Sequence, residues 1–291
     1  MIGICSRAVI ALTATLCLVS AATAASPDVS AMNLQATDVP GAKIATEGAR
    51  KEKGYVAAYL RSFEFSAANN GSRLVGLEAE TRLASSASTP TSEVSRIEKQ
   101  FRSAATRKRL IAQFAKASQV KPKAVTFGAL RRVPGYDQGF ELPVSLPVAG
   151  NRLYESLVYV RLDRVEVIML EVGLRPIRAP ITARYTSAIA GHIGDELAPV
   201  AVSPPTVTGT AVQGQTLAAS PGAWSAPDAT FTYQWQHCDA AGATCADIAG
   251  ATGQTYGVTA ADVGATLVVV VKATNRFGSP TAPSVATAVV S

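Results

Sequence analysis

The stretch that most constrains this chain is 230–245, TFTYQWQHCDAAGATC. Phe231, Tyr233 and Trp235 alternate with Thr232, Gln234 and Gln236. A period of two makes a strand with one aromatic face and one polar face. A turn rich in Gly, Ala and Asp follows, bracketed by Cys238 and Cys245. The last third of the chain is therefore expected to be a small all-β domain built around the Trp235 strand.

Short strands at even spacing are expected around it, at 206–210, 215–219, 255–258, 266–274 and 285–290. Gly222, Pro227, Gly242, Gly250, Gly264 and Gly278 punctuate them. That spacing suits a sandwich of two antiparallel sheets. Lys272 sets the phase of the 266–274 strand: Leu267, Val269 and Val271 turn inward, Val268 and Val270 outward. Trp235 should pack on that inner row and on Leu217.

Gly214-Gln215-Thr216-Leu217, Gly222-Ala223-Trp224, Tyr233-Gln234-Trp235, Ile248-Ala249-Gly250-Ala251-Thr252 and Thr259-Ala260-Ala261-Asp262-Val263-Gly264 carry a resemblance. With Gly209-Thr210, Ala273-Thr274-Asn275 and the two cysteines, this segment resembles the immunoglobulin-like repeat of exported bacterial proteins, especially actinobacterial surface proteins. The resemblance covers about 204–291 and implies a β-sandwich that serves as a spacer or adhesive module without activity of its own. The chain departs from antibody-type domains, because neither the Leu217 strand nor the Leu267 strand carries a cysteine.

Cysteine usage fits export. Arg7, an apolar run over 8–19 and Ala22-Thr23-Ala24 have the order of a signal peptide, read here as 1–25. Cys5 and Cys17 lie inside it, which leaves Cys238 and Cys245 as an even pair. A disulfide between them is the simplest expectation, worth about 2–3 kcal/mol by the chain-entropy argument. A metal pair is the rival reading, but six intervening residues do not match zinc spacing. No run after the leader approaches the ~18–20 apolar residues that a membrane span needs. The expected location is secreted or at the cell surface.

Residues 26–197 are read as an α+β domain, 198–205 (APVAVSPP) as a Pro-rich linker, and 206–291 as the sandwich. In the first domain Gly54 to Ser66 and Arg73 to Leu83 alternate as two strands joined at Asn69-Asn70-Gly71, a hairpin signal. Val94, Ile97, Phe101, Ala104, Ala105, Ile111, Phe114 and Ala115 recur at three- and four-residue steps. They predict one helix from Thr91 or Ser92 to about Ser118. Further strands are expected at 125–133, 140–148, 153–161 and 165–172, then a helix over 181–197. This order suggests an antiparallel sheet with its two helices on one face. It is similar to exported sheet-and-helix domains of the photosystem-associated PsbP fold and of mycobacterial lipoprotein or kinase-sensor ectodomains. No motif carries that likeness, and it implies no function.

Charge is uneven. Residues 26–203 hold 24 Lys and Arg against 17 acids, whereas 204–291 hold 2 against 4. Between Arg96 and Arg132 there are eleven basic residues and one acid, Glu98. Arg102, Arg107, Lys108, Arg109 and Lys116 lie on the expected helix, as either a solvated face or a contact for an anionic surface. Nucleic acid is not expected, since no aromatics interleave with the basic residues.

Chemistry of other kinds has little to stand on. There is no G-x-S-x-G elbow and no phosphate-cradling Gly loop. His192 shares a helix face with Asp195 and Glu196, read as an exposed helix end rather than a metal site. His237 reads as a polar strand end. Glu78 and Glu80 share a strand face, with Arg73 and Arg82 near enough to neutralise them. No catalytic residue, metal or cofactor is expected.

The expected function is an exported, non-catalytic surface or wall-associated protein, in which the α+β domain binds and the immunoglobulin-like domain spaces or adheres. Expected partners are anionic wall polymer, lipid headgroups or another surface protein. The alternative is a soluble carrier of an apolar small molecule or lipid, with Phe63, Phe65, Phe101 and Phe114 around a cavity.

Overall fold

A computed structural model describes residues 27–66, 74–86, 88–148 and 150–291, without the side chains of 88–92. The leader, its cleavage site and the Asn69-Asn70-Gly71 turn lie outside the described residues. The chain is mostly antiparallel sheet with four α-helices among the described residues, in two compact units, Asp28–Ile193 and Gly194–Ser291. Among the described residues no helix is long and apolar enough to cross a membrane.

The first unit is built on one eight-stranded antiparallel sheet. Its elements are α1 (Val29–Met32), β1 (Ala42–Arg50), β2 (Tyr55–Phe65), β3 (Leu74–Ala84), α2 (Ser88–Arg102), α3 (Ala104–Ala117), β4 (Thr126–Phe127), β5 (Arg131–Arg132), β6 (Gln138–Val148), β7 (Asn151–Leu162), β8 (Val165–Gly173) and α4 (Ala179–Leu197). The strand order is β1-β2-β3-β8-β7-β6-β4, with β5 also on β6. Three consecutive strands, β6 to β8, form the expected meander. The edge strand β1 is not expected from the sequence: both of its faces are largely exposed, so no apolar alternation marks it.

Alternation along the central strands gives the sheet two faces, and both are covered. Phe140, Leu142, Leu157, Tyr159 and Leu170 point to one face and pack with Val94, Ile97 and Ala115 of α2 and α3. Glu171 follows Leu170 in sequence and so points to the other face. There Thr182 of α4 donates to it at 2.6 Å, and Tyr136 donates to the Thr186 carbonyl. Asn33, just after α1, donates to the carbonyls of Tyr59 and Ala79. The expectation of helices on one face is therefore corrected. Tyr185, Ile189 and Ile193 of α4 bury against the face that α2 and α3 leave bare.

The expected single helix over 92–118 is also corrected. It is two helices that meet at Ser103, whose backbone is extended (φ −74°, ψ 123°) and whose hydroxyl accepts from Thr106 N. A serine at that position exchanges one turn of helix for an N-cap. The apolar residues run through the break without a change of spacing, so periodicity hides it.

The second unit holds β9 (Ala201–Ser203), β10 (Thr206–Thr208), β11 (Thr216–Ser220), β12 (Ala223–Trp224), β13 (Thr230–Cys238), β14 (Cys245–Asp247), β15 (Thr255–Gly257), β16 (Thr266–Thr274) and β17 (Thr281–Pro283). A sheet β14-β13-β16-β17 and a sheet β10-β11-β15 contribute to one core of Leu217, Trp235, Leu267, Val269 and Val271. Trp235 is fully buried, stacks on Tyr256 and donates its indole N–H to the Gly253 carbonyl. Val268, expected to face outward, is buried as well. Residues 201–203, expected within a linker, pair with β12. Residues 285–290, expected as a strand, follow β16 through the Thr287 and Val290 amides without a regular ladder.

A sheet covered on both faces buries whatever its strands carry. Glu155, Glu166 and Glu171 are all deeply buried, and desolvation raises their carboxyls to about 7, 7 and 8 respectively. Their folded pKa values lie above the unfolded ones. The native state therefore binds more protons than the unfolded state, and stability falls as pH rises from about 4.5 through 7 to 8. Thermal melts should show a higher Tm at pH 5 than at pH 8. Glu171→Gln, which keeps an acceptor for Thr182, should reduce the loss of stability between pH 5 and pH 8 by on the order of 3 kcal/mol. An unchanged slope would contradict the burial described for this carboxyl.

Candidate functional site

The break at Ser103 has a consequence for the sheet face beneath it. Two helices meeting at a corner do not fill the space that one continuous helix would cover. A cavity of about 190 Å³ lies between α2, α3 and the sheet. Leu142, Val144, Leu157, Tyr159 and Leu170 form its floor. Ile97, Phe101, Leu110 and Phe114 form its walls, and Phe127 closes one end. Aromatic edges fix the floor: Phe140 stacks on Tyr159 at 5.3 Å, and Phe101 meets Phe140 edge-on at 5.9 Å.

One charged side chain stands in this apolar floor. Glu155 of β7 pairs with Val144 of β6, and alternation aligns it with Leu157 and Tyr159. It lines the cavity and is 4% exposed. Among the described residues no hydrogen bond or ion pair reaches its carboxylate. Burial alone raises it to about 7, so near neutral pH it exchanges between acid and carboxylate. Buried polar groups are ordinarily partnered. Arg82 Nη2, Glu166 Oε1 and Glu171 Oε1 are also left without a hydrogen bond among the described residues, but Glu155 is the one that lines the cavity.

The rim is polar. Glu93, Arg96, Thr106 and Arg109 surround it. Arg96 lies 3.5 Å from Glu93, and the Tyr55 hydroxyl lies within hydrogen-bond distance of both Glu93 and Glu166. Behind Tyr55, Arg82 donates to Glu80 at 2.9 Å and sits 3.8 Å from Glu52. Glu166 is further from it, at 3.9 Å, and its pKa is raised chiefly by burial, with Tyr55 and Arg82 opposing. This network ties the ends of β2, β3 and β8 together, although Arg82 Nη2 and Glu166 Oε1 are buried in it without a hydrogen bond among the described residues.

The basic residues singled out in the sequence do not form one free patch. Arg102 is held by Glu98 one helical turn back, at 2.6 Å. Arg107 turns inward: it donates to the carbonyls of Phe127 and Gly128 and stacks over the Phe127 ring. Lys108, Arg109 and Lys116 are exposed, and Arg109 reaches the cavity rim. Of the four phenylalanines expected around a cavity, Phe101 and Phe114 line it. Phe63 pairs with Leu77, belongs to the opposite face and takes no part; Phe65, two residues on, does not line it either. Cys238 and Cys245 are joined by a disulfide that closes the turn after β13. Leu217, Trp235, Leu267 and Val269 are core. His192 bonds to Asp38 at 2.9 Å, and His237 meets the Ala261 carbonyl. Among the described residues no cluster of three His, Cys, Asp or Glu has the arrangement of a metal site.

Glu155 is the residue that sequence reasoning misses. Its signal is present: Leu153, Leu157 and Tyr159 share its phase, so it is the one acid on an apolar row.

No protein-family model matches the chain, and no curated protein does. Among solved structures it is similar to the extracellular domain of PknH from Mycobacterium tuberculosis, at 12% identity and a TM-score of 0.35, over 59% of this chain and 95% of that one. That neighbour is a kinase ectodomain, one of the classes to which the element order is similar, and the likeness is too slight to carry an argument.

Arg107 and its neighbours separate structural from solvated charge. Arg107→Ala leaves two backbone carbonyls without their donor and should cost about 1–3 kcal/mol. Lys108→Ser and Lys116→Ser should stay within about 0.5 kcal/mol of the parent. Denaturant titration of the three variants checks this, and equal losses at all three positions would overturn the assignment.

Proposed function

We propose that this chain is an exported, non-catalytic binding protein whose α+β unit holds a small, largely apolar molecule in the cavity beneath α2 and α3. The immunoglobulin-like unit serves as its spacer or adhesion module. The observation that carries this reading is the cavity itself: about 190 Å³, largely apolar on floor and walls, with one buried carboxyl, Glu155, and the Tyr159 hydroxyl. An apolar cavity of ~150 Å³ is enough to take up benzene. The cavity here is smaller than the ~300–1,000 Å³ of most ligand pockets, but shares their apolar lining with few polar groups, and suits a molecule of about one ring. The disulfide supports an oxidising, extracytoplasmic location.

A second reading keeps some support. Lys108, Arg109 and Lys116 remain exposed on α3 and can attract anionic polymer or lipid headgroups. It is the weaker of the two, because Arg102 and Arg107 are engaged within the fold.

Toluene tests the first reading, followed by methyl NMR of Leu142, Val144, Leu157 and Leu170. Saturable shifts confined to these methyls are expected. Leu157→Trp, which places an indole in the cavity, should abolish them while the far-UV spectrum is retained. Absence of saturable shifts in the parent protein, or shifts that survive Leu157→Trp, would contradict the reading.

A further inference from the structure

We infer that the cavity beneath α2 and α3 selects small amphiphiles with a protonated amine head, and that Glu155 is the residue that receives the head. The inference rests on the binding reading above and adds the chemical class of the ligand.

Three observations lead to it. First, Glu155 is almost fully buried, lines the cavity and has no partner among the described residues. An ionised carboxylate left this way costs several kcal/mol, and a donor brought by a ligand removes that cost. Ammonium is the donor that gains most, since a charge-assisted hydrogen bond is about twice as strong as a neutral one. Second, the remaining floor and walls offer the ligand's body only Leu, Val, Ile and aromatic carbon, apart from the Tyr159 hydroxyl. The size admits one ring or a short chain, with the remainder free to emerge at the rim. Third, the rim cations do not reverse the preference. Arg96 is exposed and compensated by Glu93 at 3.5 Å, and Arg109 is exposed, so water screens both. Glu155 lies in the low-dielectric interior, where a charge interaction is several times larger.

The groups facing Glu155 are few. Tyr159 comes from its own strand, and Glu93, Arg96 and Arg109 come from the two helices. Burial pushes the Tyr159 hydroxyl well above the neutral range. Near neutral pH the carboxyl of Glu155 is the group here whose change of charge alters what the cavity accepts. Amine affinity should accordingly rise from pH 5 to pH 8 as Glu155 gives up its proton.

The test uses four probes of similar body on the full chain: toluene, 2-phenylethanol, 2-phenylethylamine and 3-phenylpropanoate. Affinities come from the same methyl shifts at pH 7.5. The expected order places the amine about tenfold above the alcohol, with the carboxylate weakest. Glu155→Gln should bring amine and alcohol to within about threefold of each other while toluene still binds. If toluene binds but the amine has no advantage, the inference is overturned and the binding reading stands. If the carboxylate binds best, the rim arginines set the specificity and the inference is likewise overturned. If none of the four binds, the binding reading itself fails and takes the inference with it. An amine preference that survives Glu155→Gln assigns the head to Glu93 and overturns the role of Glu155.

Discussion

The central strands of the first unit's antiparallel sheet are covered on both faces, and most of the sheet's chemistry follows from that constraint. From Glu155 to Leu162 every residue of β7 is buried. Strand alternation cannot send a polar side chain to water there, because water is on neither side. Each acid on the central strands must therefore find a partner or lose its charge. Glu171 finds Thr182, and Glu141 accepts from Ser156 at 2.8 Å. Glu166 finds Tyr55 and, at longer range, Arg82. Glu155 finds none among the described residues. The same burial that makes the other three structural leaves this one available.

The cavity that Glu155 faces arises from local helix chemistry. Ser103 ends α2 and caps α3, and the corner between them stands over the floor of β6, β7 and β8. Arg107 then fixes α3 by bonding the carbonyls of Phe127 and Gly128, so the corner is held open from the strand side. A basic residue that reads as surface charge is, in place, a brace. The second unit contrasts with this. Trp235 and the row Leu267, Val269 and Val271 fill its core, and the disulfide closes a turn rather than linking sheets.

Much of this is legible in the residues, and what is not has physical causes. The Trp235 strand, the inward row and the disulfide follow from strict alternation and cysteine parity, signals that survive in a single sequence. The meander follows from tight turns. Placement of α4 does not, since an apolar stripe shows that a helix packs but not on which face of a sheet. The corner at Ser103 is masked because the apolar spacing continues through it. β1 is masked because an edge strand exposed on both sides has no pattern to show. Glu155 stands out only once the β7 row is phased, since the same residue on a solvated strand carries no information.

The central claim is that Glu155 is enclosed and unpartnered at the floor of an open cavity. Carbon-13 NMR titration of its carboxyl, assigned by the resonance lost in Glu155→Gln, tests this most directly. The account predicts a midpoint near 7 in the free protein. A midpoint in the ordinary glutamate range would mean that water or an undescribed partner reaches the carboxylate, and it would contradict the account.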